Sequence, residues 1–218
     1  MMTRRWTGTI LSMALLAGCA PGLIGGDNRS DPALERILVS DSDVPARQGL
    51  LYMAMQDAEV ARQSAGFALA ATDTGDAKAQ LNNLLYAIDP EFPATPTVTA
   101  SGVTPFWPPT GYGLRRSMQD IAEEMRTVGG RHGSRAGVAA QAEQVTACTQ
   151  ETLTRVDRLV SLSQQALVAT SADALAPLLE EIDHLAQIVL EAPAAQAVDA
   201  CSLQDAQRDL QTLALQIA

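Results

Sequence analysis

The side chains of this chain best suited to covalent or metal chemistry are few: three cysteines, at 19, 148 and 201, and two histidines, at 132 and 184. Cys19 closes the apolar run Ile10-Leu11-Ser12-Met13-Ala14-Leu15-Leu16 after the small residues Ala17 and Gly18. Glu181 and His184 stand in the Glu-x-x-His spacing by which bundle helices bind paired iron or manganese. That site needs a second such motif, and the chain has none. The two residues therefore read as flanks of a helical seam through Leu178, Ile182 and Leu185. His132 lies in Gly129-Gly130-Arg131-His132-Gly133-Ser134, which lacks a P-loop lysine and follows a helical pattern rather than a strand. It reads as a linker; the alternative is that Arg131 and Arg135 hold an anionic partner. The pairs Glu123-Glu124 and Glu180-Glu181 are adjacent residues that diverge on a helix and cannot flank one substrate bond. No Cys-x-x-Cys-His, no Gly-x-Ser-x-Gly and no placement for a catalytic triad exist. The expectation is a protein without enzymatic activity, metal or cofactor. A ligand- or metal-binding helical bundle with an enzymatic role, built on Glu181 and His184, is the alternative.

The opening residues carry only two charges, Arg4 and Arg5, ahead of the apolar run. A basic start, roughly 7–15 apolar residues and small residues at a cut describe a secretory signal peptide. The run is too short to cross a bilayer, which takes about 20 apolar residues. Leu16-Ala17-Gly18-Cys19 resembles the lipobox of bacterial lipoprotein precursors, over residues 1–19 only. The resemblance implies cleavage between Gly18 and Cys19, a diacylglyceryl group on the Cys19 thiol, and an acylated new amino terminus, with palmitate-type chains. It implies a place on the periplasmic side of the cell envelope. Ala20 stands where some bacteria put the Asp that retains lipoproteins in the inner membrane, which tilts the reading to the outer membrane. Thr3-Arg4-Arg5 reads as an ordinary basic start, because the apolar residues that follow a twin-arginine signal are missing.

Loss of residues 1–18 takes Arg4 and Arg5 with it and moves the formal charge from −10 to near −12. Nucleic acid and anionic lipid heads both require clustered positive charge, so neither is an expected partner. The membrane is reached through lipid on Cys19, and two or three acyl chains suffice for stable anchoring. Hydrophobic residues make up 47% of the chain but aromatics only 4%, and alanine supplies much of the difference. Alanine buries little area and is the best helix former. The expected fold is all-α, a bundle of four to five main helices formed by residues 31–218, behind a flexible tether over 19–30.

Asp31-Pro32 predicts an N-cap and a proline at the first helical position, opening a short helix through Val39. Val44-Pro45 opens the next, to about Ala71, with Leu51, Ala54, Ala58, Ala61, Ala65 and Ala68 at bundle-seam spacing. A helix through Leu81, Leu84, Leu85 and Ile88 stops at Asp89-Pro90. Leu114, Met118, Ile121, Met125 and Val128 carry another. Helices then span about 135–170, 173–191 and from Leu203 onward, the last opened by Ser202-Leu203-Gln204-Asp205, a capping box with Asp for Glu.

Residues 90–113 break this pattern. They hold six of the eleven prolines and four of the eight aromatics, so no helix runs through them. So long a loop in a compact domain is often functional. Phe106, Trp107 and Tyr112 are its candidate binding residues, for another envelope protein or a glycan; the other reading is that these rings fold back over the bundle and fill the space its alanines leave. Tyr86-Ala87-Ile88-Asp89-Pro90 ahead of Gly111-Tyr112-Gly113-Leu114 resembles uncharacterised bacterial helical proteins, which implies no activity.

Export makes Cys148 and Cys201 a predicted disulfide. A helix over 173–191 descends about 28 Å at 1.5 Å per residue, returning the chain to the level of residue 151. Cys201 then lies near the height of Cys148, and the bond would close a 54-residue loop, stabilising the fold by roughly 4 kcal/mol.

Overall fold

Alanine at five of the six seam positions of one helix lets its neighbours pack against it, and that helix becomes the centre of the bundle. The computed structural model describes residues 31–43, 47–92, 109–135, 137–191 and 201–217. Among them all regular structure is α-helical: α1 (Pro32–Leu38), α2 (Leu50–Ala70), α3 (Thr74–Ile88), α4 (Leu114–His132), α5 (Val138–Val168), α6 (Ala172–Leu190) and α7 (Leu203–Ile217). Six of the seven are fifteen residues or longer.

The α2 stripe predicted from spacing is buried throughout, from Leu51 to Ala68. Met53, Asp57, Val60 and Ser64 are buried as well, so α2 is covered on more than the alanine side. It packs against α3, α4 and α6, while α5 packs against α4 and α6. One core cluster runs through the helices, with Leu81, Leu84, Ile121, Met125, Leu159 and Ile182 fully buried in it. Each such side chain contributes about 1.5–3 kcal/mol by leaving water.

Local signals set several boundaries. The Asp31 side chain accepts from Ala33 N at 2.8 Å, as an N-cap should. Ser202 and Asp205 form the expected reciprocal box: Asp205 N donates to Ser202 Oγ and Ser202 N donates to Asp205 Oδ2, both at 3.2 Å. Two boundaries differ from expectation. α2 begins at Leu50 behind the N-cap Gly49, five residues after Pro45. α4 does not break at Gly129 but continues through Gly130 and Arg131 to His132. The cost of two helical glycines, about 1 kcal/mol each, is outweighed by tertiary contacts that hold the last turn. α7 rests chiefly on α5. No helix among the described residues is long and apolar enough to cross a membrane.

Candidate functional site

The stretch from Thr110 to Gly113 is fastened to α2 by one carboxylate. Asp57, fully buried, accepts from Thr110 N at 2.7 Å, Thr110 Oγ1 at 2.6 Å and Gly113 N at 3.2 Å. No cation among the described residues pairs with it. Burial raises its pKa to about 6, and the three hydrogen bonds hold it from rising further. Gly113 is the N-cap of α4 at φ +94°, and a Cβ there would meet Pro90 Cδ at 2.6 Å. Only glycine fits that turn. Asp57 thus supplies, from another helix, the negative charge that the uncapped start of α4 lacks.

Outside this fastening lies a cleft of about 560 Å³ between the end of α3 and the first turns of α4, lined by Asp89, Glu91, Tyr112, Arg115, Arg116 and Asp120 among others. The Tyr112 hydroxyl donates a short hydrogen bond to Asp120. Burial, then that bond and the Asp120 charge, push the Tyr112 pKa up to about 12. Arg116 lies over the Tyr112 ring at 4.5 Å from its centroid, a cation–π contact. Arg115 donates to Asp89 at 3.1 Å and to Asp157 at 2.8 Å. The cleft is therefore rigid, polar and of mixed charge.

The other residues singled out from sequence sit apart from it. His132 Nε2 lies 2.8 Å from Asp31 Oδ2 and Arg131 donates to Asp31 Oδ1 at 3.3 Å, so the expected linker is a junction between α4 and the start of α1. Arg135 donates to the Ile217 carbonyl at 3.1 Å. Arg131 and Arg135 thus each have a partner within the fold while remaining exposed at the surface. Glu181 is held by Arg158, and His184 is exposed. Among the described residues no three His, Cys, Asp or Glu side chains could share a metal ion.

Cys148 and Cys201 are brought together, as the helix arithmetic predicts, but both are free thiols. The disulfide is not formed in the structure. Cys148 is buried, contacts the Cys201 thiol, and lies with its Sγ 4.0 Å from the Ser202 carbonyl oxygen. The signal peptide 1–18, the cut at Gly18, Cys19, the tether and the candidates Phe106 and Trp107 lie outside the described residues. Asp57 escapes sequence reasoning because its partners are 53 and 56 residues away. The available signal was an acid at helical spacing with Leu50, Met53 and Val60, beside the alanine seam. Compared with protein-family models, curated proteins and solved structures, the chain matches none.

Proposed function

We propose that this chain is a lipid-anchored protein of the bacterial envelope whose non-catalytic helical bundle binds another envelope protein or a glycan beside the loop 90–113. The anchor half rests on Leu16-Ala17-Gly18-Cys19: signal removal before Cys19 and lipid on its thiol. The binding half rests on the cleft wall, where the exposed Arg116 guanidinium lies over the ring of Tyr112, a side chain itself only 7% exposed. Tyr and Arg are the residues most enriched at interface hot spots, and a preorganised pair loses little entropy on binding. A binding role over a catalytic one is supported by the engagement of the two buried acids within the fold, Asp57 by Thr110 and Gly113 and Asp31 by His132, and of Glu181 at the surface by Arg158.

Two measurements test the halves separately. Cells fed an alkyne-tagged palmitate should label the protein, and Cys19→Ser should lose both label and detergent-phase partitioning; label that persists in Cys19→Ser overturns the anchor. A photo-cross-linking residue at the exposed cleft position Gln119 should capture an envelope protein or glycan that the same residue at exposed Val168 does not. Equal capture at both, or none at Gln119, overturns the binding site.

A further inference from the structure

We infer that Cys148 and Cys201 are an oxidisable pair in which Cys201 meets the oxidant and Cys148 resolves it, fastening the start of α7 to α5. The two thiols are neighbours across this helix junction: Cys148, in the first half of α5, places its Sγ 4.0 Å from the carbonyl oxygen of Ser202, the residue that follows Cys201, two residues ahead of α7. Their surroundings are unequal. Cys148 is 2% exposed, whereas Cys201 is partly open to solvent. Burial raises the Cys148 pKa, and so do its hydrogen bond to Cys201 and the nearby Asp205 and Asp209 charges. Burial raises Cys201 as well, and so do the Glu151 and Asp205 charges, but the interaction with Cys148 and the charge of Arg155 act the other way, which nothing does at Cys148. The Arg155 guanidinium also donates to the Cys201 carbonyl, which holds the residue at the mouth of the pair.

The chemistry follows from that asymmetry. The oxidant is another disulfide, of a small thiol or of a thiol–disulfide oxidoreductase. Cys201 loses its proton and attacks one sulfur, forming a mixed disulfide and expelling the first thiolate. Cys148 then loses its proton and attacks Cys201 Sγ, expelling the second. The pair gives up two electrons and two protons, and the oxidant leaves as two thiols. Thiols this disfavoured as thiolates react slowly, yet the bond they form resists reduction, because the reduced form gains nothing from ionising. A lasting fastener results rather than an exchange-active pair. Since α7 leans chiefly on α5, the bond acts where the C-terminal helix is held.

The proposal stands whether or not Cys19 is lipidated. Its test uses the full chain with Cys19→Ser, leaving two thiols, equilibrated in glutathione buffers and trapped with a mass-adding maleimide. Both thiols should vanish together into a monomeric species, and hydrogen exchange of the α7 amides should slow roughly tenfold. In Cys148→Ser a glutathione adduct should accumulate on Cys201. In Cys201→Ser, Cys148 should take up glutathione roughly tenfold more slowly. The inference fails if both thiols remain alkylatable in fully oxidised glutathione, or if the adduct forms first on Cys148. Unchanged α7 exchange in the oxidised protein removes the fastening role, and circular dichroism of each serine variant separates misfolding from altered reactivity.

Discussion

The two ends of α4 are each held by a buried aspartate, and the two behave in opposite ways. At the N-terminal end Asp57 meets two backbone N–H groups and a hydroxyl, and burial lifts its pKa to about 6. At the C-terminal end Asp31 is only 6% exposed, yet its pKa falls below the usual value. Burial opposes its charge too, but hydrogen bonds from His132 and Ala33 and the charge of Arg131 outweigh it. The same side chain is therefore acidic or reluctant according to whether burial outweighs the groups that meet it: Asp57 is completely enclosed with no counter-charge among the described residues, whereas Asp31 is less deeply enclosed and gains His132, its cap amide and the Arg131 charge.

Removing Asp57 gives the largest expected break in this comparison. Asp57→Ala leaves the Gly113 and Thr110 amides without an acceptor, and each unsatisfied buried donor costs about 1–3 kcal/mol. Urea denaturation should show a loss of roughly 3 kcal/mol, and a loss below about 1 kcal/mol would mean that the turn holds by itself. Next in size is the pH dependence. Asp57 has a folded pKa above its unfolded 3.8, so its contribution is fully present below that value and is lost as pH rises through about 6. Relative to Asp57→Asn, the wild type should lose about 2 kcal/mol between pH 4 and 7. Parallel stability curves for the two proteins would refute the uncompensated burial.

Asp31 should show the opposite sign. With its folded pKa depressed, its contribution is present above the unfolded 3.8 and lost as pH falls through the folded value. Asp31→Ala should destabilise by about 1–2 kcal/mol at pH 7, since it removes a helix cap along with the bonds to α4. Thermal melts at pH 7 and pH 3 check it, the deficit shrinking at the lower pH. The smallest effect belongs to Arg131→Gln, half exposed at the same junction, at no more than about 0.5 kcal/mol. A larger loss would show that Arg131, rather than His132, carries the compensation at Asp31.

Helix positions and several caps were legible because they depend on neighbours three or four residues away. The α2 seam, the Asp31 cap and the Ser202–Asp205 box needed nothing more. The meeting of Cys148 and Cys201 was legible through helix length alone. What could not be read were contacts between elements that sequence separates. Asp57 was hidden by its distance from Thr110, and the continuation of α4 past Gly129 was hidden because Asp31, about a hundred residues earlier, secures its last turn. The cleft was half visible: Tyr112 was singled out, while Arg116 and Asp120, which give the ring its partners, were not.

The position of Asp31 has a mechanical consequence. A pull on the chain ahead of Asp31 acts first on α1, a seven-residue helix, and on its joints to α4. Those joints are the Asp31 bonds to Arg131 and His132 and the pairing of Arg36 with Glu124, over Leu34 and Ile37 seated in the core. Force entering there would have to break these ionic contacts and bare Leu34 and Ile37 to water before it reached the alanine seam of α2. The shortest described helix thus stands between that end of the chain and the packed centre of the molecule.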